Sequence, residues 1–415
     1  MTAPIRTLIL SGGGGRGAFH AGVYKYLCEM EKPGLDGEHR GRWTPDIVVG
    51  TSIGAVNGAA IVQGMAPERL EEIWRSLREN DIQGLPPGMR RLSRWVSNMV
   101  LRQFIGVSLP KVPSSHATSP PADQSWLPLP NLPPWLCEKL LGRWNNLLDT
   151  GPLRDTLENR MGIDPQKIAA SEKTLLINAT NVRTGERTTF SNRPLASRRT
   201  GKNRSDIISG ITIQRILASC SIPLVYPWTF DEDTAELYWD GALVANTPLS
   251  GALDAAQEWP VDVPMEAVIV LMTPWIERGH DQSTGDEVNL TDLPVPGSFS
   301  EALTFTLDWA LLATFRERLR VTEAYNELAR LSREMAAARP PEAEGAAAPQ
   351  PALPRYREVK AVVVSPERFF PMARILDYDE RADRLIQLGY EAARRAFYHH
   401  FPRQDSSLAE RSPAG

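Results

Sequence analysis

Twice within the first 64 residues the chain runs a short apolar stretch into a glycine-bearing turn and then into a helical pattern. The first unit is "RTLILSGGGGRGAFHAGVYKYL", in which Phe19, Val23, Tyr26 and Leu27, followed by Met30, recur at helical spacing. The second is "PDIVVGTSIGAVNGAAIVQG", a β-branched run followed by a turn and a small-residue helix. Strands that alternate with helices predict an α/β chain with a mainly parallel sheet, helices covering both faces.

Composition narrows the partners rather than the fold. At 415 residues and 42% hydrophobic the chain can bury a sizeable core, and by length it could form two or three domains. The 46 basic and 50 acidic residues leave a formal charge of -4, so no global field draws it to nucleic acid or anionic lipid, and membrane contact has to be local. Cys28, Cys137 and Cys220 form no CxxC pair and have no nearby histidine. They read as idle thiols in a reducing compartment, with no metal site. The three-residue apolar run in "MTAPIRTLIL" is too short for a secretory leader, and no run reaches the roughly 18–20 apolar residues of a membrane span. The expectation is a cytoplasmic protein with any membrane contact peripheral.

The remaining segments divide the chain. Residues 5–275 carry the strand and helix patterns of a catalytic unit, interrupted over 84–150 by a Pro/Trp-rich insertion that reads as a cap or lid. "KTLLINATNVRTGERTTFS" predicts two strands joined by a polar turn, "TIQRILASCSIPLVYPWTF" a helix closed by proline, and "AELYWDGALVANTP" a short strand entering a turn. "PMEAVIVLMTPW" is apolar but for Glu266 and Thr273 and bounded by prolines, as a central buried strand should be. A loop and long amphipathic helix fill 276–336, and 337–356 is a low-complexity Ala/Pro/Glu stretch that reads as disordered. A last strand and helix occupy 357–400, followed by a polar tail over 401–415. Inside the insertion, residues 90–105 set Leu92, Trp95, Val96, Met99, Val100 and Phe104 at helical spacing among Arg90, Arg91, Arg94 and Arg102. That pattern fits a membrane-interface helix or a cap face packed on the domain.

The glycine loop could serve three chemistries. Gly12, Gly14 and Gly17 fit the GxGxxG of a dinucleotide fold, but the next strand ends in glycine where a ribose-binding acid is wanted. A P-loop needs Gly-Lys-Ser/Thr, and here Ala18 and Phe19 follow Gly17. The third is an oxyanion hole, whose amides converge on a developing negative oxygen and leave no room for Cβ atoms.

An oxyanion hole requires a nucleophile, and Gly50, Ser52 and Gly54 supply GxSxG between a strand and a helix. The serine would then stand on a strained turn at a helix N-terminus, where the amide of Ile53 adds a donor. The downstream histidines have no convincing setting: His116 lies in the insertion, His280 in a polar loop, and His399 and His400 at the end of the last helix. His20 precedes the serine and reads as a partly exposed helical residue. The alternative base is Asp240 in "YWDGALVANTP", followed by the small Gly241 and Ala242 that permit close approach of another segment. An aspartate is a poor base in water and works only when desolvated and hydrogen-bonded to the serine.

GGGxRG at Gly12–Gly17, GxSxG at Gly50–Gly54 and DGA at Asp240–Ala242, in that order, resemble the motifs of the patatin-like phospholipase family, over roughly residues 5–275. The resemblance implies a three-layer α/β/α fold, with Ser52 as nucleophile and Asp240 as its base. It also implies an oxyanion hole from the loop of Gly12, Gly13, Gly14, Gly15, Arg16 and Gly17, and no metal or other cofactor. The implied substrate is a phospholipid or related lipid ester. Arg16 matches the family's basic position and could hold the loop, meet a phosphate, or form a surface salt bridge. Two other readings stay open: a Ser-His-Asp carboxylesterase or triacylglycerol lipase, and a non-catalytic lipid-binding protein on the same scaffold.

Overall fold

The computed structural model describes residues 3–29, 43–84, 146, 148–195, 207–297, 299–337, 356–368 and 382–400. The expected cap between Gly84 and Asn146, the amphipathic pattern of 90–105, the low-complexity residues 338–355 and the tail 401–415 lie outside the described residues. On either side of the 85–145 stretch, the backbones of Gly84 and Asp149 pair with each other.

The two opening units form as their patterns predict. Strand β1 (Ile5–Leu10) leads through the glycine loop into helix α1 (Ala18–Glu29), and β2 (Ile47–Thr51) leads through Ser52 into α2 (Ile53–Val62) and α3 (Pro67–Ser76). Strands β3 (Thr174–Asn181), β4 (Arg187–Ser191) and β5 (Ile207–Ser209) follow, then helix α4 (Ile213–Ser219) and the hairpin of β6 (Thr229–Asp231) and β7 (Glu236–Asp240). Helix α5 (Leu249–Ala255), strand β8 (Met265–Val270), the long helix α6 (Phe299–Ala337), β9 (Val359–Val364) and α7 (Ala382–His400) follow, with short helical turns and a two-stranded hairpin over residues 276–281 besides.

Among the described residues the strands join into one nine-stranded sheet of order β9-β8-β1-β2-β3-β4-β5, with β7 also paired to β3 and β6 to β7. The pairs from β9 through β3 are parallel, as is β4 with β5, whereas β3–β4, β3–β7 and β6–β7 are antiparallel. Apolar clusters cover both faces. Leu8, Leu10, Val48, Leu175 and Ile177 meet α1–α4 and α7, and Ile5, Ile9, Ile47, Val49 and Leu176 meet α5 and α6. Burial on both faces is why these strands read as continuous apolar runs instead of alternating ones.

The register brings the motifs to one edge of the sheet. Leu10 lies opposite Gly50 and Thr51 opposite Asn178, so the glycine loop and Ser52 leave neighbouring strands at the same level. Just beyond the end of β2, its place beside β3 is taken by β7 running the other way, with Asp240 opposite Ala179. Carboxyl ends of parallel strands are where open α/β sheets hold their ligands.

Candidate active site

The turn at Ser52 is strained as its motif requires. Ser52 has φ 56° and ψ -128°, in the left-handed half of backbone space that a non-glycine residue adopts only at a cost of ~1–3 kcal/mol. Its neighbours permit this by lacking side chains: a Cβ on Gly54 would lie 2.2 Å from the carbonyl oxygen of Leu10, and one on Gly50 would lie 2.3 Å from that of Gly54. The Ser52 N–H donates to Ser219 Oγ at 2.9 Å, and Ser219 Oγ donates to the Asn178 carbonyl at 2.6 Å, so α4 and β3 hold the strained residue from behind. Ser52 is only 5% exposed, and the amide of Ile53 opens α2 beside its side chain.

Asp240 ends β7 at 2% exposure. Its backbone is fixed on both sides: its N–H donates to the Ser221 carbonyl at 2.8 Å and its carbonyl accepts from Thr180 Oγ1 at 2.9 Å. The carboxylate accepts the Ala242 N–H at 2.8 Å and lies next to the Ser52 hydroxyl. Burial raises its pKa to about 7, and the nearby Ser52 hydroxyl and Ala242 N–H, which favour the charged form, offset part of that rise. Gly241 lies against β3, where a Cβ would stand 2.3 Å from the Asn178 carbonyl oxygen. This is the close approach that the small residues after Asp240 predict.

The turn after Asp240 is also tied to the other two motifs. Thr51 Oγ1 donates to the Ala245 carbonyl at 2.9 Å, and the Gly12 N–H donates to Asn246 Oδ1 at 3.0 Å. Gly12 is close enough to the nucleophile that a Cβ on it would lie 3.1 Å from that of Ser52. Its amide and that of Arg16, which donates to the Gly13 carbonyl at 3.2 Å, are thus engaged inside the scaffold. Gly14–Gly17 form a single 3-10 turn whose opening amides, as at any helix start, have no partner within it. The donors this geometry leaves for a ligand oxygen are therefore the amides at Gly13–Gly15, together with Ile53.

Two local expectations are corrected. Arg16 forms no surface salt bridge: it is 3% exposed, donates through Nε to the Gly13 carbonyl and through Nη1 to that of Met272, both at 3.2 Å, and faces Asp308 of α6 at 3.6 Å. His20 is fully buried instead of partly exposed, with Nδ1 3.2 Å from Asn57 Nδ2. Asn57 also donates to the Gly17 carbonyl at 2.9 Å and accepts from Trp74 Nε1 at 3.0 Å, so His20 belongs to a network behind the loop. Burial, and then the charge of Arg16, lower the His20 pKa to about 3, which keeps the ring neutral. His280 is exposed on a hairpin, the His399 ring lies beside Gly285 at the end of α7, and His116 lies outside the described residues.

Ser219, Asn246 and Asp308 were absent from the sequence reading. Asn246 carried a faint signal, six residues after Asp240 in the same turn, and Asp308 is the one charged residue within "LTFTLDWALLATF". Among the described residues no group of three His, Cys, Asp or Glu side chains could hold a metal ion, and no helix is long and apolar enough to cross a membrane. Among the described residues Cys28 and Cys220 form no disulfide, and Cys137 lies outside them.

A doubly covered, mainly parallel sheet with a strained serine and a buried aspartate at the carboxyl ends of its strands defines an α/β hydrolytic scaffold. The family model described as patatin-like phospholipase matches residues 8–253, more than half of the chain, and the chain belongs to that family. It is accordingly an enzyme of the lipid acyl hydrolase class. Against curated protein sequences there is no significant match. Among solved structures, the chain is similar to the crystal structure of VipD from Legionella pneumophila, at 13% identity and a TM-score of 0.37, covering 96% of this chain and 67% of that one. It is also similar to the heterodimeric ExoU–SpcU complex of the type III secretion system of Pseudomonas aeruginosa, at 19% identity and a TM-score of 0.20, covering 53% of this chain and 37% of that one. The family membership rests on the sequence match.

Proposed function

We propose that the chain releases fatty acids from phospholipids or related lipid esters, with Ser52 as nucleophile, Asp240 as its base and the glycine loop as oxyanion hole. The observation that carries this reading is the placement of the Ser52 hydroxyl beside a buried Asp240 carboxyl, whose pKa burial raises to about 7. A base of that strength is half ionised near neutral pH, where general-base catalysis is most effective.

In the first step Ser52 Oγ bonds to the ester carbonyl carbon while Asp240 accepts the hydroxyl proton. The carbonyl oxygen becomes an oxyanion that the amides at Gly13–Gly15 and Ile53 stabilise. Collapse breaks the ester bond, and protonated Asp240 returns the proton to the departing alcohol. Water then attacks the acyl-serine, Asp240 takes a proton from it, and the fatty acid leaves as Ser52 recovers its own. Leu243 and Val244, exposed in the turn directly after Asp240, supply apolar surface beside the base, in keeping with an acyl substrate. The basic, tryptophan-bearing pattern of 90–105 is the segment suited to meeting a lipid surface.

Incubation with phosphatidylcholine vesicles tests this, with free fatty acid read by mass spectrometry. Ser52→Ala should fall to background and Asp240→Asn should lose roughly 10²–10⁴-fold in rate. Wild-type release by either folded variant would refute the dyad.

A further inference from the structure

We propose that Asp308, on α6 and beyond the family-matched residues, is a positioning residue for the oxyanion loop: it anchors Arg16, which turns the Gly13–Gly14 peptide so that its N–H faces the Ser52 adduct. The proposal rests on the Ser52–Asp240 reading and assigns the loop a support from outside its own motif.

The loop has little means of orienting itself. Four consecutive glycines contribute no side chains, and glycine peptides rotate more freely than any others. Gly14 sits at φ 55°, and Gly13 at φ 175° and ψ 9°. In a trans peptide the C=O and N–H point opposite ways, so whatever holds the Gly13 carbonyl also aims the Gly14 amide. Two groups hold that carbonyl, the backbone N–H and the Nε of Arg16, each at 3.2 Å. The arginine side chain is therefore part of the device that points the amide.

An arginine so used must itself be fixed, and here it is buried. A buried guanidinium without a counter-charge is strongly unfavourable. Its Nη1 binds the Met272 carbonyl, just past β8, and lies 3.6 Å from Asp308 Oδ1, which in turn accepts from Thr273 Oγ1 at 3.4 Å. Asp308 is only 2% exposed. The chain of contacts runs from α6 through Asp308 and Arg16 to the Gly13 carbonyl, and it ends on an amide proposed to meet the oxyanion.

The test uses full-length protein and p-nitrophenyl butyrate, with kcat and KM measured separately and folding checked by near-UV circular dichroism. In Asp308→Ala, kcat should fall ~10–100-fold, approaching the loss of one oxyanion donor. KM should stay within about 2-fold, because the lost interaction acts on the transition state. Asp308→Asn keeps shape and acceptor, so it should fold even where Asp308→Ala does not, with a kcat between that of Asp308→Ala and wild type. Adding Asp308→Ala to Arg16→Met should cost no more than Arg16→Met alone, as for two residues acting through one path. A wild-type kcat in folded Asp308→Asn or Asp308→Ala, a loss confined to KM, or fully additive losses would overturn the proposal. If Ser52→Ala itself turned over the ester like wild type, the dyad would fall instead, which separates the two failures.

Discussion

At the scale of single residues the site turns on what burial does to one carboxyl group. An Asp240 side chain in water would ionise near 3.8, too acidic to take a proton from serine, and desolvation moves it to about 7. The same shift burdens the fold. The folded state holds the proton more tightly than the unfolded chain, so this group's contribution to stability is greatest below about pH 4, declines as pH rises through about 7, and above that leaves a penalty on the order of 4 kcal/mol. Asp240→Asn removes the ionisation and keeps the oxygen that accepts the Ala242 N–H. Its urea midpoint should therefore exceed that of the wild type at pH 8 and converge with it near pH 4. An equal gap at both pH values would contradict the desolvated carboxylate. That Ser52 and Asp240 are candidates for one site was legible in the sequence, because short motifs mark both. The burial of His20 and Arg16 was not, because their partners, Asn57 on α2 for His20 and Met272 and Asp308 for Arg16, are distant in the chain.

Among the elements, the βα turns are the parts most sharply determined. The Gly54 position faces backbone, the carbonyl of Leu10, which cannot rotate aside as a flexible side chain would. Gly54→Ala should therefore push β1 and β2 apart at the level of the site and cost at least ~1–3 kcal/mol, the usual penalty of overpacking. Thermal unfolding followed by circular dichroism checks this, and an unchanged midpoint with full activity would contradict the geometry. These turns were readable because strand, glycines and helix are contiguous. Helix α6 was readable as a helix over 300–336 from its amphipathic spacing, and it spans Phe299–Ala337. That it supplies the counter-charge to the glycine loop was not readable, since no local pattern marks which residue a lone buried acid will meet. Ser219, which accepts the Ser52 amide, was hidden for the same reason.

Across the whole molecule, the three motifs fall within residues 8–253, but the sheet that aligns them extends further. Strand β1 lies between β2 and β8, so the strand bearing the glycine loop becomes internal only through residues 265–270, and β8 becomes internal in turn through residues 359–364. The apolar "MEAVIV" announced a buried strand, but strand order depends on pairings over hundreds of residues and leaves no local trace. The antiparallel insertion of β7 beyond the end of β2 is likewise a product of tertiary pairing, and it is what brings Asp240 to Ser52. The central claim, that these two residues form a working pair, is tested most directly by reacting the intact protein with a fluorophosphonate and mapping the modified residue by mass spectrometry. The account predicts a single adduct on Ser52, formed rapidly in wild type and at least ~10²-fold more slowly in Asp240→Asn. An adduct on another serine, or labelling of Ser52 at the same rate without Asp240, would contradict it.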